Sequence, residues 1–273
     1  MGLLNIVDLN EIERKPIQGH TSKGDQPKWQ LNDRWYKADH MGYEALAEVV
    51  LSRLLQYSNA PDFVDYHPLW IQNEEKKIAG CVSKNFRGKD EMLIPLERLH
   101  RAYRGKGLAS ALAGMTDAQQ RIGYTVDFVQ KTTGLTDIGQ YLTFLLELDG
   151  FFLNEDRHTN NLAVIRNEKT LEFRLCPIFD NGLALLSDQN DYPLGEDIYD
   201  CIAKVKAKPF DVDFDEQVDA AEALYGCQLK FMFNRQIVHD VLEELGELYP
   251  KEILHRVEWV IYEQMRKYQI YFE

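Results

Sequence analysis

The chain has 273 residues, 45% of them hydrophobic, so it can bury the core of one large domain or of two lobes. The formal net charge of −13 disfavours direct binding to nucleic acid or to an anionic membrane surface, and the four widely separated cysteines disfavour a disulfide framework and a structural zinc site. The acidic N-terminus lacks the pattern of a signal peptide, and no window approaches the roughly 18 apolar residues of a membrane span. We therefore expect a cytoplasmic protein, with secretion into a host left open.

The first predicted elements are a polar loop and a hairpin. Residues 19–28 (GHTSKGDQPK) combine glycines, hydroxyls and lysines in a short stretch. Such a loop between strands can direct backbone N–H groups at phosphates, and an ordinary polar turn has the same composition. Residues 29–31 and 34–37 predict the two arms of a hairpin that turns at residues 32–33.

Residues 43–57 predict an amphipathic helix, because apolar residues recur there at helical spacing. Glu44 opens this helix, Glu48 lies one turn later on the same face, and Lys37 lies on the strand before it. A lysine that faces phosphates is usefully held by a helix glutamate, so Lys37 and Glu44 form a candidate ion pair, with Glu48 as the alternative. The alternative without a function is that Lys37 and the helix glutamates are unrelated charges on the surface.

Two further strands are predicted at residues 63–71 and 77–82, and the charged segment 83–91 is predicted to connect a β-rich first lobe to a helical second lobe. In that arrangement, the connecting backbone would meet an adenine ring. The candidates for this contact, chosen by position alone, are Ser83, Asn85 and Phe86.

From residue 95 onward the pattern is helical. Helices are predicted over residues 117–131, with Thr116 or Asp117 as the cap, and over 136–150, ending at Gly150. Residues 188–209 are predicted to be irregular, and the acidic residues 211–219 to begin a helix rather than to hold a cation. The remaining predicted helices are 218–234, 237–248 and 251–268, with Trp259, Tyr262 and Met265 in the core.

Residues 154–182 contain the motif with the most chemical content. Asp156, Asn161 and Asp180 are the carboxylate, amide and second carboxylate that a magnesium-dependent phosphoryl-transfer site needs. Residues 162–166 and 171–179 predict a hairpin, which would return Asp180 to the same end as Asn161. Each of the three residues alone is also ordinary turn chemistry, so the prediction depends on the set.

His158 completes the pattern D-x-H-x-x-N with Asp156 and Asn161. We predict a structural role for His158, in which the ring packs against or hydrogen-bonds the Asp180 region beside the nucleotide. A proton shuttle is the alternative.

With these motifs in this order, the chain resembles the HipA-like Ser/Thr protein kinases, in particular the compact, CtkA-like members that lack the N-terminal subdomain of HipA. The resemblance runs from residue 19 to residue 187 and is weaker in the C-terminal helices. It implies an α+β, two-lobed protein-kinase-like fold, with a small β-rich N-lobe over residues 1–86 and a larger helical C-lobe over 87–273. It also implies an ATP- and Mg²⁺-dependent phosphotransferase.

The resemblance assigns a role to each candidate. Asp156 would be the catalytic base, Asn161 and Asp180 would hold Mg²⁺, and Lys37 would reach the α and β phosphates of ATP with Glu44 as its helix partner. The family's phosphate loop, in which a hydroxyl can be autophosphorylated, would correspond to Thr21, Ser22, Lys23 and Gly24, with Thr21 or Ser22 as the modified residue.

Three alternatives stay open. The chain could phosphorylate a lipid or a small molecule, it could be a nucleotide-binding pseudokinase, or it could be a toxin-like module with an antitoxin-like partner. Because the sequence starts close to the phosphate loop, the HipA mode of antitoxin docking is not expected. The G-x-G-x-x-G, H-R-D and A-P-E signatures are absent, so regulation by a phosphorylated activation loop is not implied.

Overall fold

The computed structural model describes residues 5–10, 12 and 26–272. The four phosphate-loop candidates, Thr21, Ser22, Lys23 and Gly24, therefore lie outside the described residues. The chain forms two compact units: the first contains residues up to 85, 180–205 and 230–273, and the second contains 86–179 and 206–229. Residues 180–205 and 230–273 thus lie with the N-terminal segment in the first unit. The lobe boundary at residues 86 and 87 stays a prediction.

The first unit is built on a five-stranded sheet with the order β1-β4-β5-β3-β2, in which β1 pairs in parallel with β4 and the other neighbours are antiparallel. Alternate side chains of these strands form an apolar cluster that includes Trp29, Tyr36, Leu69 and Ile71. The strands are β1 Ile6–Asp8, β2 Lys28–Leu31, β3 Arg34–Ala38, β4 His67–Asn73 and β5 Lys76–Lys84.

The predicted hairpin is confirmed as β2 and β3, which turn through Asn32 at a φ of 55°. The strand predicted from residue 63 begins only at His67. The reason is that the backbone of Tyr66 bonds the hydroxyl of Ser52 instead of a neighbouring strand, with Tyr66 N donating to Ser52 Oγ over 3.2 Å. The parallel strand β1 was not predicted.

The predicted helix over residues 43–57 is confirmed as α1, Glu44–Leu55, which packs against the sheet. Segment 188–209 is not wholly irregular, because Asp197 caps a short helix there by accepting from Tyr199 N and Asp200 N. The other helices of this unit are α6 Ile198–Lys204, α8 Arg235–Glu243, α9 Lys251–Lys267 and the 3-10 helix Gln269–Phe272.

The prediction that Trp259 of α9 lies in the core is wrong. The buried face of α9 contains Val257, Val260 and Ile261, which places Trp259 on the opposite side, where it is 55% exposed. Tyr262 and Met265 are half-buried.

The second unit combines a three-stranded antiparallel sheet, in the order β6-β7-β8, with helices. The strands are β6 Glu91–Pro95, β7 Ala163–Asn167 and β8 Phe173–Leu175, and the helices are α2 Leu96–Arg104, α3 Leu108–Leu112, α4 Ala118–Thr133, α5 Ile138–Phe152 and α7 Phe214–Tyr225. The predicted hairpin is confirmed, but its second arm is shorter: it begins only at Phe173, after Leu171 with a φ of 62°, and it ends at Leu175. Strand β6 was not predicted.

Helix ends in this unit follow their capping residues. Asp117 caps α4, as predicted, and the acidic run begins α7, whose cap Asp213 accepts from Asp215 N and Glu216 N. The predicted helix over 218–234 is wrong beyond Tyr225, because Gly226 follows with a φ of 75°. Helix α5 passes Gly150 and ends at Phe152, and Leu153 follows with a φ of 56°. Among the described residues, no helix is both long and apolar enough to cross a membrane.

Glu147 links α5 to the chain that follows α7. Its buried carboxyl group accepts from Gln228 N at 2.9 Å and from Leu229 N at 2.7 Å. Burial raises the pKa of Glu147 to about 8, and Glu222 nearby adds to the rise against these hydrogen bonds. Glu147 therefore holds a proton in the folded protein at a pH where it would lose that proton in the unfolded chain.

We expect the free energy of unfolding to fall between about pH 5 and 8, because the folded state retains a proton that the unfolded state releases. Glu147→Gln keeps the shape and cannot ionise, so its unfolding free energy should fall less over this range. Urea unfolding at several pH values measures this, with exposed Glu247→Gln as the control that keeps the wild-type dependence. Equal pH dependence in all three proteins would contradict the assignment.

Candidate active site

Lys37 is the centre of the site in the first unit. Strand β3 carries it, and its ammonium contacts the carboxylate of Glu48 and lies 2.7 Å from Asp180 Oδ1. Lys28, on the paired strand β2, lies 3.3 Å from the same oxygen of Asp180. Lys37 and Glu48 are almost fully buried, so the two charges are held with little water around them.

The helix partner of Lys37 is Glu48, not Glu44. The carboxylate of Glu44 instead accepts from the backbone N–H groups of His40, Met41 and Gly42, at 3.2, 2.7 and 3.1 Å. These donors lie in the turn just before α1, where a carboxylate satisfies backbone groups that have no helical partner. Glu44 is therefore occupied by the start of its own helix, and Glu48, one turn later, reaches the strand.

Asp180 is held by the same helix residue. Glu48 uses its second oxygen to accept from Asn181 N at 2.9 Å, so α1 fixes both the lysine and the turn that carries Asp180. Asp180 itself has a φ of 59°, and the next residue but one, Gly182, lies so close to α1 that an added Cβ would be 3.4 Å from Glu44 Cβ. A left-handed backbone at a non-glycine residue is costly and persists where the surrounding contacts hold it, as the lysines and Glu48 do here.

The charges in this group support one another. Burial alone would lower the pKa of Lys37, but the carboxylates of Asp180 and Glu48 outweigh it and hold the pKa well above its usual value. Burial would likewise raise the pKa of Asp180, but Lys28 and Lys37 hold it well below its usual range. Lys37 is thus an ammonium ion and Asp180 a carboxylate at neutral pH.

In the second unit, a buried ion pair shapes the loop that follows α5. Arg157 donates from Nε to Asp149 Oδ2 at 2.8 Å and from Nη2 to Asp149 Oδ1 at 2.9 Å. Its third nitrogen, Nη1, donates to Phe179 O at 3.0 Å. Asn154 also donates to Asp149, at 2.8 Å. Because both Asp149 and Arg157 are 1% exposed, the loop is tied to the last turns of α5 by a bidentate pair.

Asp156 and Asn161 lie side by side in this loop. Asn161 Nδ2 donates to Asp156 O at 2.8 Å and lies 3.4 Å from Asp156 Oδ2. His158 N donates to Asp156 O at 2.8 Å, and His158 Nε2 is 4.0 Å from Asp156 Oδ2. The loop thus brings the predicted base, amide and histidine together. The predicted contact of His158 with the Asp180 region, and the convergence of Asp180 with Asp156 and Asn161, stay predictions.

The three adenine candidates differ in setting. Ser83 is a buried residue of β5, paired across the sheet with Trp35. Asn85 N donates to Asp33 O at 2.9 Å. Phe86 belongs to the second unit, where its ring lies 5.6 Å from that of Phe179. Their role in binding a base stays a prediction.

Comparison with known proteins identifies the fold by its similarity to solved structures. No protein-family model and no curated protein sequence matches the chain. The crystal structure of CtkA, a proinflammatory kinase of Helicobacter pylori, is similar with a TM-score of 0.65 and 15% identity, over 96% of this chain and 95% of that chain. The chain has a kinase fold. HipA from the Shewanella oneidensis MR-1 toxin–antitoxin system, solved with HipB and operator DNA, is similar with a TM-score of 0.52 and 12% identity, over 93% of this chain and 67% of that chain.

These likenesses confirm the predicted α+β, protein-kinase-like fold and the resemblance to HipA-like kinases at the level of the fold. Sequence reasoning missed three residues that hold the candidate site together, and these are Lys28, Asp149 and Arg157. Lys28 had a usable signal, since the hairpin register that pairs it with Lys37 follows from the turn at residues 32–33.

The buried ion pair predicts a large stability effect. Arg157→Met leaves the Asp149 carboxylate buried without its cation, so we expect the free energy of unfolding to fall by about 3–5 kcal/mol. Arg101→Met is the matched control, because Arg101 is 68% exposed where it pairs with Glu97, so its loss should cost at most about 1 kcal/mol. Urea unfolding of both variants measures the difference. Equal losses would show that the pair does not hold the loop.

Proposed function

We propose that the chain is an ATP- and Mg²⁺-dependent Ser/Thr protein kinase. The observation that carries the proposal is the arrangement around Lys37, in which a strand lysine is held between a helix glutamate, Glu48, and the aspartate of a D-N-G turn, Asp180, in a chain with a kinase fold. Protein kinases use a strand lysine, a helix glutamate and an aspartate in this combination to place the phosphates and metal of ATP.

The residues fit a magnesium site by their chemistry. Mg²⁺ prefers oxygen ligands. Asn161 commits its amide nitrogen to the backbone of Asp156, which makes its oxygen the atom that can face a cation. Asp180 is a carboxylate whose Oδ2 takes part in neither lysine pair. We propose that Asn161 and Asp180 hold Mg²⁺, which would supply neutralisation of the charge on the phosphates.

The remaining roles follow from charge and position. Lys37 would bind the α and β phosphates, and burial would make that contact stronger than in water. Asp156 would accept the proton of the acceptor hydroxyl as its oxygen attacks the γ-phosphorus. The adenine would lie against the chain near Ser83, Asn85 and Phe86. Thr21 or Ser22, in the phosphate loop, would be the site of autophosphorylation.

We expect the purified chain, incubated with ATP and Mg²⁺, to gain phosphate on a serine or threonine, with the peptide that contains Thr21 and Ser22 as the first place to look. Asp156→Asn and Asp180→Asn should each reduce the transfer rate about 100-fold or more, because they remove the base and a metal ligand. Mass spectrometry locates the phosphate. Asp127→Asn is the control, since Asp127 forms an exposed pair with Lys131.

Circular dichroism of each variant separates lost chemistry from lost folding. Transfer by both site variants at the wild-type rate would show that these roles are wrong. Nucleotide binding without any transfer by the wild-type chain would favour a pseudokinase, and transfer to lipid extracts but not to proteins would favour a lipid kinase.

A second pair of variants tests the partner of Lys37. Glu48→Gln removes the carboxylate that fixes Lys37 and the Asp180 turn, so we expect the transfer rate per folded molecule to fall about tenfold or more. Glu44→Gln keeps an oxygen acceptor for the turn before α1 and leaves the Lys37 pair intact, so its rate should stay close to wild type. Single-turnover rates measure both. The reverse order would return Glu44 to the role first predicted for it.

The protein partner stays a prediction. The HipA structure that this fold resembles was solved with HipB and operator DNA. An antitoxin-like partner would have to bind a surface of this chain, and the acidic net charge of −13 is compatible with a basic partner.

A further inference from the structure

A lysine from a distant part of the chain lies beside Asp156. Lys208 Nζ is 3.6 Å from Asp156 Oδ1, and the side chains of Lys208 and Asp156 are 30% and 10% exposed. Both residues belong to the second unit. The ammonium group is therefore close to the proposed base and still partly open to solvent.

The segment that carries Lys208 is held firmly. Ala207 and Phe210 are buried, and Ala207 N donates to Val212 O at 2.9 Å. Phe210 O accepts from Arg121 Nη1 at 2.7 Å, and Phe210 N donates to Gln217 Oε1 at 3.0 Å. Helices α4 and α7 thus fix the backbone two residues after Lys208, and the bond from Ala207 to Val212 fixes the residue before it, so the approach of Lys208 to Asp156 is built into the fold.

The loop that carries Asp156, residues 154–161, does not provide a cation equivalent to Lys208. Residues 154–161 contain one arginine and no lysine, and that arginine, Arg157, is committed to Asp149 and to Phe179 O. The two oxygens of Asp156 also face different groups, since Oδ2 lies near Asn161 Nδ2 and Oδ1 lies near Lys208. Residues 154–161 therefore offer no lysine or uncommitted arginine to a phosphoryl group, and Lys208 places an ammonium group beside Asp156 instead.

We propose that Lys208 is a catalytic residue that contacts the transferred phosphoryl group, an inference that rests on the proposed kinase function. In the transfer, a bond forms between the acceptor oxygen and the γ-phosphorus, and the bond from that phosphorus to the β–γ bridging oxygen breaks. ADP leaves with the electron pair, and the acceptor proton goes to Asp156. Lys208 takes no part in the proton transfer, and its ammonium group offsets the charge on the phosphoryl oxygens.

The test compares three substitutions in the full chain. Lys208→Met removes the charge and keeps the length of the side chain. Lys206→Met makes the same change two residues earlier, at an exposed lysine of the same segment. Lys208→Arg restores a positive charge. Phosphate transfer from ATP in the presence of Mg²⁺ gives kcat and KM for each protein, and thermal unfolding gives Tm.

We expect Lys208→Met to lower kcat about 10- to 100-fold with little change in KM for ATP, because the charge acts on the group in transit. Lys206→Met should match wild type, and Lys208→Arg should recover part of the rate. A purely structural ion pair would lower Tm and leave kcat unchanged, and an autoinhibitory pair would raise kcat. Either result would overturn the inference while wild-type transfer still upheld the kinase. No transfer by the wild type would overturn both.

Discussion

The first unit depends on the burial of one ammonium ion. Lys37 is almost fully enclosed, and a charge in that setting is costly unless carboxylates surround it. Glu48 and Asp180 supply them, and Glu48 also binds the backbone of Asn181. Glu48 therefore connects Lys37 to the turn at Asp180 and Asn181, which lies more than a hundred positions later in the chain. If either the lysine or the turn shifted, a buried charge would lose its partner.

The second unit solves a related problem with a different pair. There, Asp149 near the end of α5 binds Arg157 of the loop with two hydrogen bonds, and both side chains are excluded from water. Arginine suits this role because its planar group makes two parallel bonds to a carboxylate and a third to a carbonyl. Asp156 lies between Asn154 and Arg157 in the chain, and both of these residues donate to Asp149. The backbone of Asp156 is therefore held close to the end of α5.

Sequence reasoning predicted the parts of this molecule that depend on local pattern. Helix α1 and the β2–β3 hairpin follow from periodicity and turn chemistry, and Asp117 is one of the two caps predicted for α4. The set Asp156, Asn161 and Asp180 follows from spacing, and its shared role stays a prediction. Sequence reasoning could not decide between Glu44 and Glu48, because both lie on the same helix face. The decision depends on three backbone N–H groups that need an acceptor at the helix start, and only coordinates show that Glu44 is used for them.

The fold shared with CtkA at 15% identity is physically reasonable for the same reasons. Apolar cores tolerate many substitutions if volume and pattern are kept, so helices and strands can persist while most residues change. Buried charges are less tolerant, since removing one partner leaves the other without compensation. The ion pair between Lys208 and Asp156 adds a further constraint, because α4 and α7 hold the backbone next to Lys208, so the surroundings of the proposed base depend on these helices as well. Pattern along the chain cannot reveal such a dependence, because α4 precedes both residues in sequence, α7 follows both, and only the packed structure brings the four parts together.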